Sequence, residues 1–181
     1  MGKALLFICL LLVCGTANAQ IQRVAQMCST GICLYWWPML PAVPGWHQDL
    51  DASYQEAANA LAPDGYTFAN APTVMYAKAL YKPRVPETSS VAKLIDQDRQ
   101  EALHADPQQT VVGAGEMSTA DGSRLQVYTF FPRGPGTWER VAYGQEGSYF
   151  LIFAISSRTK AGYEKAMPAY RFMVTHYGSK P

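Results

Sequence analysis

Between Thr110 and Ser156 the sequence holds four strand-length runs joined by short turns, and this stretch limits the fold more than any other. Residues 110–118 and 124–131 flank Ala120-Asp121-Gly122-Ser123. Asp-Gly predicts a type I′ hairpin, whose two central residues both need positive φ. Pro132-Arg133-Gly134-Pro135-Gly136 is a second turn, followed by a run over 137–143. After Gly144-Gln145-Glu146-Gly147 comes the run 148–156, which carries Y-F-L-I-F-A-I. Continuous apolar residues of this length predict a strand buried on both faces. Links this short join antiparallel neighbours, since a parallel pair needs a crossover of roughly a dozen residues. The expectation is an antiparallel meander.

Helical signals flank the meander. Val91, Leu94, Ile95, Ala102 and Leu103 form a thin stripe over 91–105, capped near Ser89 or Ser90 and interrupted by the polar run 96–100. A final helix is predicted over 160–177, with Thr159 as N-cap and Gly178 as stop. Tyr163, Ala166, Met167, Tyr170, Met173, Val174 and Tyr177 recur there at three and four, which strand alternation cannot produce. Pro168 predicts a kink or break. Upstream, residues 46–51 read as a short strand, and Ser53-x-x-Glu56 as a capping box for a short helix over 54–62. Residues 73–81 alternate with Val74, Tyr76 and Leu80 on one face and Met75, Ala77, Ala79 and Tyr81 on the other. The expected fold class is α+β, a three-layer α/β/α sandwich around a largely antiparallel sheet.

The first residues read as an address. Lys3, an apolar run from Ala4 to Val13 broken by Cys9 alone, and Ala17-Asn18-Ala19 make a secretory signal with cleavage expected before Gln20. Leu11-Leu12-Val13-Cys14 resembles a lipobox, but bulky Val13 stands where a small residue is needed, so anchoring at Cys14 is not expected. No later stretch is apolar enough for a transmembrane helix. The whole chain has 181 residues, 15 basic and 14 acidic, for a net charge of +1. Losing Lys3 leaves 14 and 14, a net charge of 0, which offers nothing to nucleic acid. The division expected is a signal over 1–19, an arm over 20–45 and one domain over 46–181.

Cys28 and Cys33 remain after cleavage. In an oxidising compartment a close pair predicts a disulfide. Free thiols, intermolecular pairing, metal binding and redox chemistry are the alternatives, and neighbouring Met27, Ser29 and Thr30 complete no metal site. Residues 34–45, with three prolines, exclude a helix or a central strand. They form either an extended arm laid on the core or an exposed patch of Tyr35, Trp36 and Trp37 for a partner.

The meander ending in S-Y-F-L-I-F-A-I-S-S, followed by T-K-A-G-Y-E-K-A-M-P-A-Y-R-F-M-V-T-H-Y, resembles the PsbP/DcrB-like sandwich proteins over residues 46–177. The resemblance is one of architecture, without a signature motif. It implies a small exported adaptor or accessory protein and no catalytic residue.

Chemistry-bearing residues are scattered. His47, Asp49 and Asp51 would share a strand face at period two and form a weak cation or proton site, with a solvated face as the simpler reading. Glu116, Glu139 and Glu146 are carboxylates that could converge. Gly113-Ala114-Gly115-Glu116 lacks a following helix and a P-loop lysine, so it reads as a bulge. Trp138 and Arg140 join Tyr35, Trp36 and Trp37 as a candidate partner surface. No catalytic residue, metal or cofactor is expected. The function expected is a non-enzymatic exported protein, periplasmic in a Gram-negative cell, that binds an envelope or secreted protein. The alternatives are a small-molecule or carbohydrate binder using the arm and the 132–136 loop, and a carboxylate-based hydrolase.

Overall fold

The computed structural model describes residues 20–29 and 31–179. The predicted signal, its cleavage point and Cys14 lie outside them. The meander is built from β6 (Thr110–Ser118), β7 (Arg124–Phe131), β8 (Trp138–Glu146) and β9 (Tyr149–Ser157). Upstream stand β3 (Trp46–Gln48), β4 (Asn59–Pro63) and β5 (Thr73–Tyr81). All seven form one antiparallel sheet in the order β3-β4-β5-β9-β8-β7-β6. The apolar run of β9 lies at its centre, paired with β5 on one side and β8 on the other. That position buries both of its faces, which accounts for its unbroken hydrophobicity.

Helix α3 (Lys160–Thr175) is capped by Thr159, whose side chain accepts from the Gly162 N–H. It lays Tyr163, Ala166, Tyr170, Met173 and Val174 on the sheet face that carries Leu125, Leu151, Phe153 and Ile155. The helix runs through Pro168 without a break. Helix α2 (Val91–Ala105), capped by Ser90, covers part of the opposite face with Leu94 and Ile95 against Phe130, Val141, Tyr143 and Phe150.

The arm is a hairpin. Strands β1 (Ile21–Cys28) and β2 (Gly31–Pro38) pair antiparallel as a separate two-stranded sheet, and the Cys28–Cys33 disulfide staples it near the turn. At its base Trp37 is buried and tilted on Tyr54, and Trp36 stacks on Tyr81 at 5.3 Å. Asn59 Nδ2 donates to the Pro38 carbonyl at 3.0 Å, fastening β2 to the main sheet.

The three-layer α/β/α sandwich is overturned: among the described residues strand outweighs helix, 43% to 25%, and they form a β-rich fold with two sheets. The hairpin β1–β2 supplies the second sheet, and the predicted helix over 54–62 is largely replaced by strand. Helix α1 spans only Leu50–Gln55, with Asp49 as its N-cap, and Ser53 lies inside it. Ala57 then turns the chain at φ 50°, and the alanine run becomes β4. Ala60 and Ala62 are fully buried there, so pairing with β5 overrides the helix propensity of alanine. The arm, expected as an extended segment or an exposed patch, is a hairpin whose base shares the α3 face.

One turn differs from the sequence reading, and the expected bulge is present. Gly122 takes φ 86° but Asp121 does not take positive φ, so the β6–β7 link is no type I′ turn. Asp121 Oδ1 instead accepts from the Ser123 N–H at 3.1 Å, and the Thr119 N–H donates to the Ser123 carbonyl. The glycines at 113 and 115 mark a bulge, with a register shift between Gly113 and Glu116 and φ 84° at Gly115.

Candidate functional site

Alternation along β8 sends Glu139, Val141 and Tyr143 to the α2 face, where the pairing register sets them beside Ser156, Ala154 and Ile152 of β9. On β5 the same face carries Tyr76 and Lys78, opposite Ala154 and Ile152. Ala154 is thus a small side chain between Val141 and Tyr76, and helix α2 covers the face only in part. A cavity of about 390 Å³ results. Its floor is Tyr76, Lys78, Glu139 and Tyr143, and its helical wall is Asp98, Glu101 and Ala102.

Asp98 reaches this wall because it sits four residues after Leu94 and four before Ala102, on the core-facing stripe. Burial holds its carboxyl above the ordinary carboxylate range; Tyr143 opposes the shift and the Glu101 charge adds to it. Burial raises Glu139 as well, against a hydrogen bond from Ser156 Oγ at 2.8 Å and with help from the Asp98 charge. That bond occupies Oε1 and orients the carboxylate. Burial, and then the Asp98 charge, push the Tyr143 phenol far above its usual value.

Tyr143 is only 1% exposed, yet among the described residues its hydroxyl finds no hydrogen-bond partner. Asp98 faces it closely enough for hydrogen bonding between the two to shift both groups, although the pair falls outside the length and angle of an ordinary hydrogen bond. Buried polar groups are almost always paired, so an orphaned hydroxyl marks a place for a missing partner. Lys78 Nζ lies 5.4 Å from the centroid of the Tyr76 ring, a cation–π distance. Perturbed carboxylates, phenols and one ammonium therefore share one concave, half-apolar site, the arrangement expected of a ligand pocket.

A larger groove of about 630 Å³ runs beside α3, between Trp46, Tyr66 and Phe172. Its single charged lining residue is Lys165, and none of its lining side chains carries an orphaned buried polar atom, so its chemistry is much less specific.

Residues singled out from sequence lie elsewhere or apart. His47 Nδ1 is 3.4 Å from Asp64, Asp49 caps α1, and Asp51 is in the first turn of that helix. Strand β3 ends at Gln48, so the three share no strand face. The Phe68 and Ala52 N–H groups hold the Asp49 carboxyl below its ordinary range. Among the described residues no group of three His, Cys, Asp or Glu side chains is arranged for a metal. Glu146 lies seven residues from Glu139 along β8, hence on the opposite face, where it accepts from Tyr177 Oη at 2.6 Å. Glu116 follows the bulge on edge strand β6. Tyr35 Oη is 3.5 Å from Cys28 Sγ. Trp138 packs on Phe131 at 5.0 Å, and Arg140 Nη2 donates to the Ala114 carbonyl. Trp36 lies against Tyr149 and Trp138 pairs with Ser157, at opposite ends of β9. At about 3.4 Å per residue those ends are roughly 27 Å apart, so the arm aromatics and the 132–136 loop form no common surface.

Reading the sequence for clustered motifs passes over Asp98, Lys78 and the buried hydroxyl of Tyr143. The first two do leave a trace: each is a charge on an otherwise apolar stripe or strand face. No family model matches the chain, and no curated protein matches it.

Proposed function

We propose that this chain is an exported binding protein that holds a small organic ligand in the cleft beneath α2. The orphaned, buried hydroxyl of Tyr143 carries this reading, because a bound ligand gives it the partner the protein withholds. The volume supports it too, being near the lower end of the roughly 300–1,000 Å³ of ligand pockets. Export is supported by the sequence of residues 1–19 and by the Cys28–Cys33 bridge, which suits an oxidising compartment. Among the described residues no helix is long and apolar enough to cross a membrane.

The test is a ligand-observed NMR screen of chemically diverse fragments against the wild type and Ala102→Phe, which fills the cleft from the helix side. Fragments bound by the wild type and lost in a folded variant support the reading. Chemical-shift mapping on the wild type gives a second answer without any substitution. Shifts that avoid Tyr76, Asp98, Glu139 and Tyr143 would refute it.

A partner-binding role is favoured by a separate observation. Met27 and Ile32, a cross-strand pair next to the hairpin turn, are 76% and 71% exposed. The base of the hairpin belongs to the core, so deleting residues 20–45 would damage the fold. Met27→Ser with Ile32→Ser isolates the tip: unchanged partner capture from an envelope fraction would dismiss this second role.

A further inference from the structure

The polar groups of the cleft specify more than its existence. Among the described residues three carboxyl groups, Asp98, Glu101 and Glu139, face it against the one ammonium of Lys78. This excess of acidic groups disfavours an anion, and a neutral ligand would leave it uncompensated. Lys78 Nζ over the Tyr76 ring places one ammonium of the chain itself against the same wall. The acceptors available are the Asp98 carboxylate, the Glu139 carboxylate oxygen not used by Ser156, and the unpartnered oxygen of Tyr143. A quaternary ammonium has no N–H and would leave Tyr143 unsatisfied. A primary ammonium has three N–H groups to offer. Beyond the polar floor, Phe130, Val141 and Ile152 supply apolar wall.

We infer that the cleft binds a primary ammonium group carried on a small apolar body, with Asp98, Glu139 and Tyr143 Oη as its acceptors. This inference rests on the cleft being a ligand site. Lys78 is then an internal competitor that holds part of the negative field in the absence of ligand.

Calorimetric titration of the purified protein near neutral pH tests it with four probes sharing one ring: benzylamine, benzyltrimethylammonium, benzyl alcohol and benzoate. Benzylamine should bind at least about tenfold more tightly than the other three, a difference of about 1.4 kcal/mol. Asp98→Asn, Glu139→Gln and Tyr143→Phe should each weaken it several-fold, whereas Lys78→Met should tighten it. A merely structural role for Lys78 would not produce that gain. If benzyltrimethylammonium, benzyl alcohol or benzoate binds the cleft as well as benzylamine, the ammonium inference is overturned while the ligand site stands. Benzylamine binding left unchanged by Asp98→Asn and Glu139→Gln also overturns it. If none of the four binds, the ammonium inference fails, and the fragment screen separately decides whether the cleft binds anything.

Discussion

Tyr143→Phe and Tyr170→Phe are the same chemical change at two buried sites and should have opposite effects on stability. Tyr170 is fully buried and donates to the Phe153 carbonyl at 3.1 Å. Removing its hydroxyl discards a formed bond, for a loss of about 1 kcal/mol. Tyr143 is equally enclosed, but its hydroxyl is unpartnered. An unsatisfied buried polar group costs about 1–3 kcal/mol, and phenylalanine keeps the ring while removing the group that bears that cost. Tyr143→Phe should therefore raise stability by about 1 kcal/mol. For a domain of this size that is a rise of roughly 2–4 °C in melting temperature, against a similar fall for Tyr170→Phe. Urea unfolding of both variants with a common slope, checked by thermal melts, measures the difference. Calorimetric titration with benzylamine should find affinity reduced in the same Tyr143→Phe variant, a stability–function trade. If Tyr143→Phe melts as low as Tyr170→Phe, the hydroxyl has a partner in solution and the argument for a ligand at that atom collapses.

Three further outcomes follow from the geometry. Asp98 and Glu139 have raised pKa values in the folded state, so folding takes up protons in that range and wild-type stability falls as pH rises through it. Asp98→Asn should flatten that fall above the ordinary carboxylate range; a steeper fall in the variant contradicts the assignment. A Cβ added at Gly144 would overlap Leu125 Cδ2, so Gly144→Ala should cost about 1–3 kcal/mol by overpacking; an unchanged unfolding midpoint would show that Leu125 has another place to go. Replacing Cys28 and Cys33 by serine removes a short-loop crosslink, worth roughly 2 kcal/mol on the loop-closure model. Because the bridge lies near the hairpin turn, hydrogen exchange should accelerate at Met27 and Ile32 far more than in β9; equal acceleration in both would show that the bridge holds the core.

Local signals were readable wherever one element decided its own form. Ser90 and Thr159 cap their helices, and α3 follows its stripe from Lys160. The alanine run after Glu56 is ambiguous in sequence because small residues suit both a helix and a strand squeezed between neighbours; burial of Ala60 and Ala62 in β4 decides for the strand. The hairpin β1–β2 is not legible in the sequence because its alternation is masked: Ala25, Met27 and Ile32 remain exposed although apolar. The polar run 96–100 looked like a defect in a thin stripe, yet it placed Asp98 on the inner face of α2.

The sequence by itself determined the meander, the extent of α2, the start of α3 and the cysteine pair, because turn residues, periodicity and close spacing act over a few residues. Tertiary structure alone decided that Asp98 meets Glu139 and Tyr143, which lie more than forty positions away. Periodicity assigns each residue a face within its own element. Which faces meet depends on the register across β5, β9 and β8 and on where α2 docks, and these are set by the packing of the whole sheet. The same packing left Tyr143 Oη without a partner, and that hydroxyl defines the site.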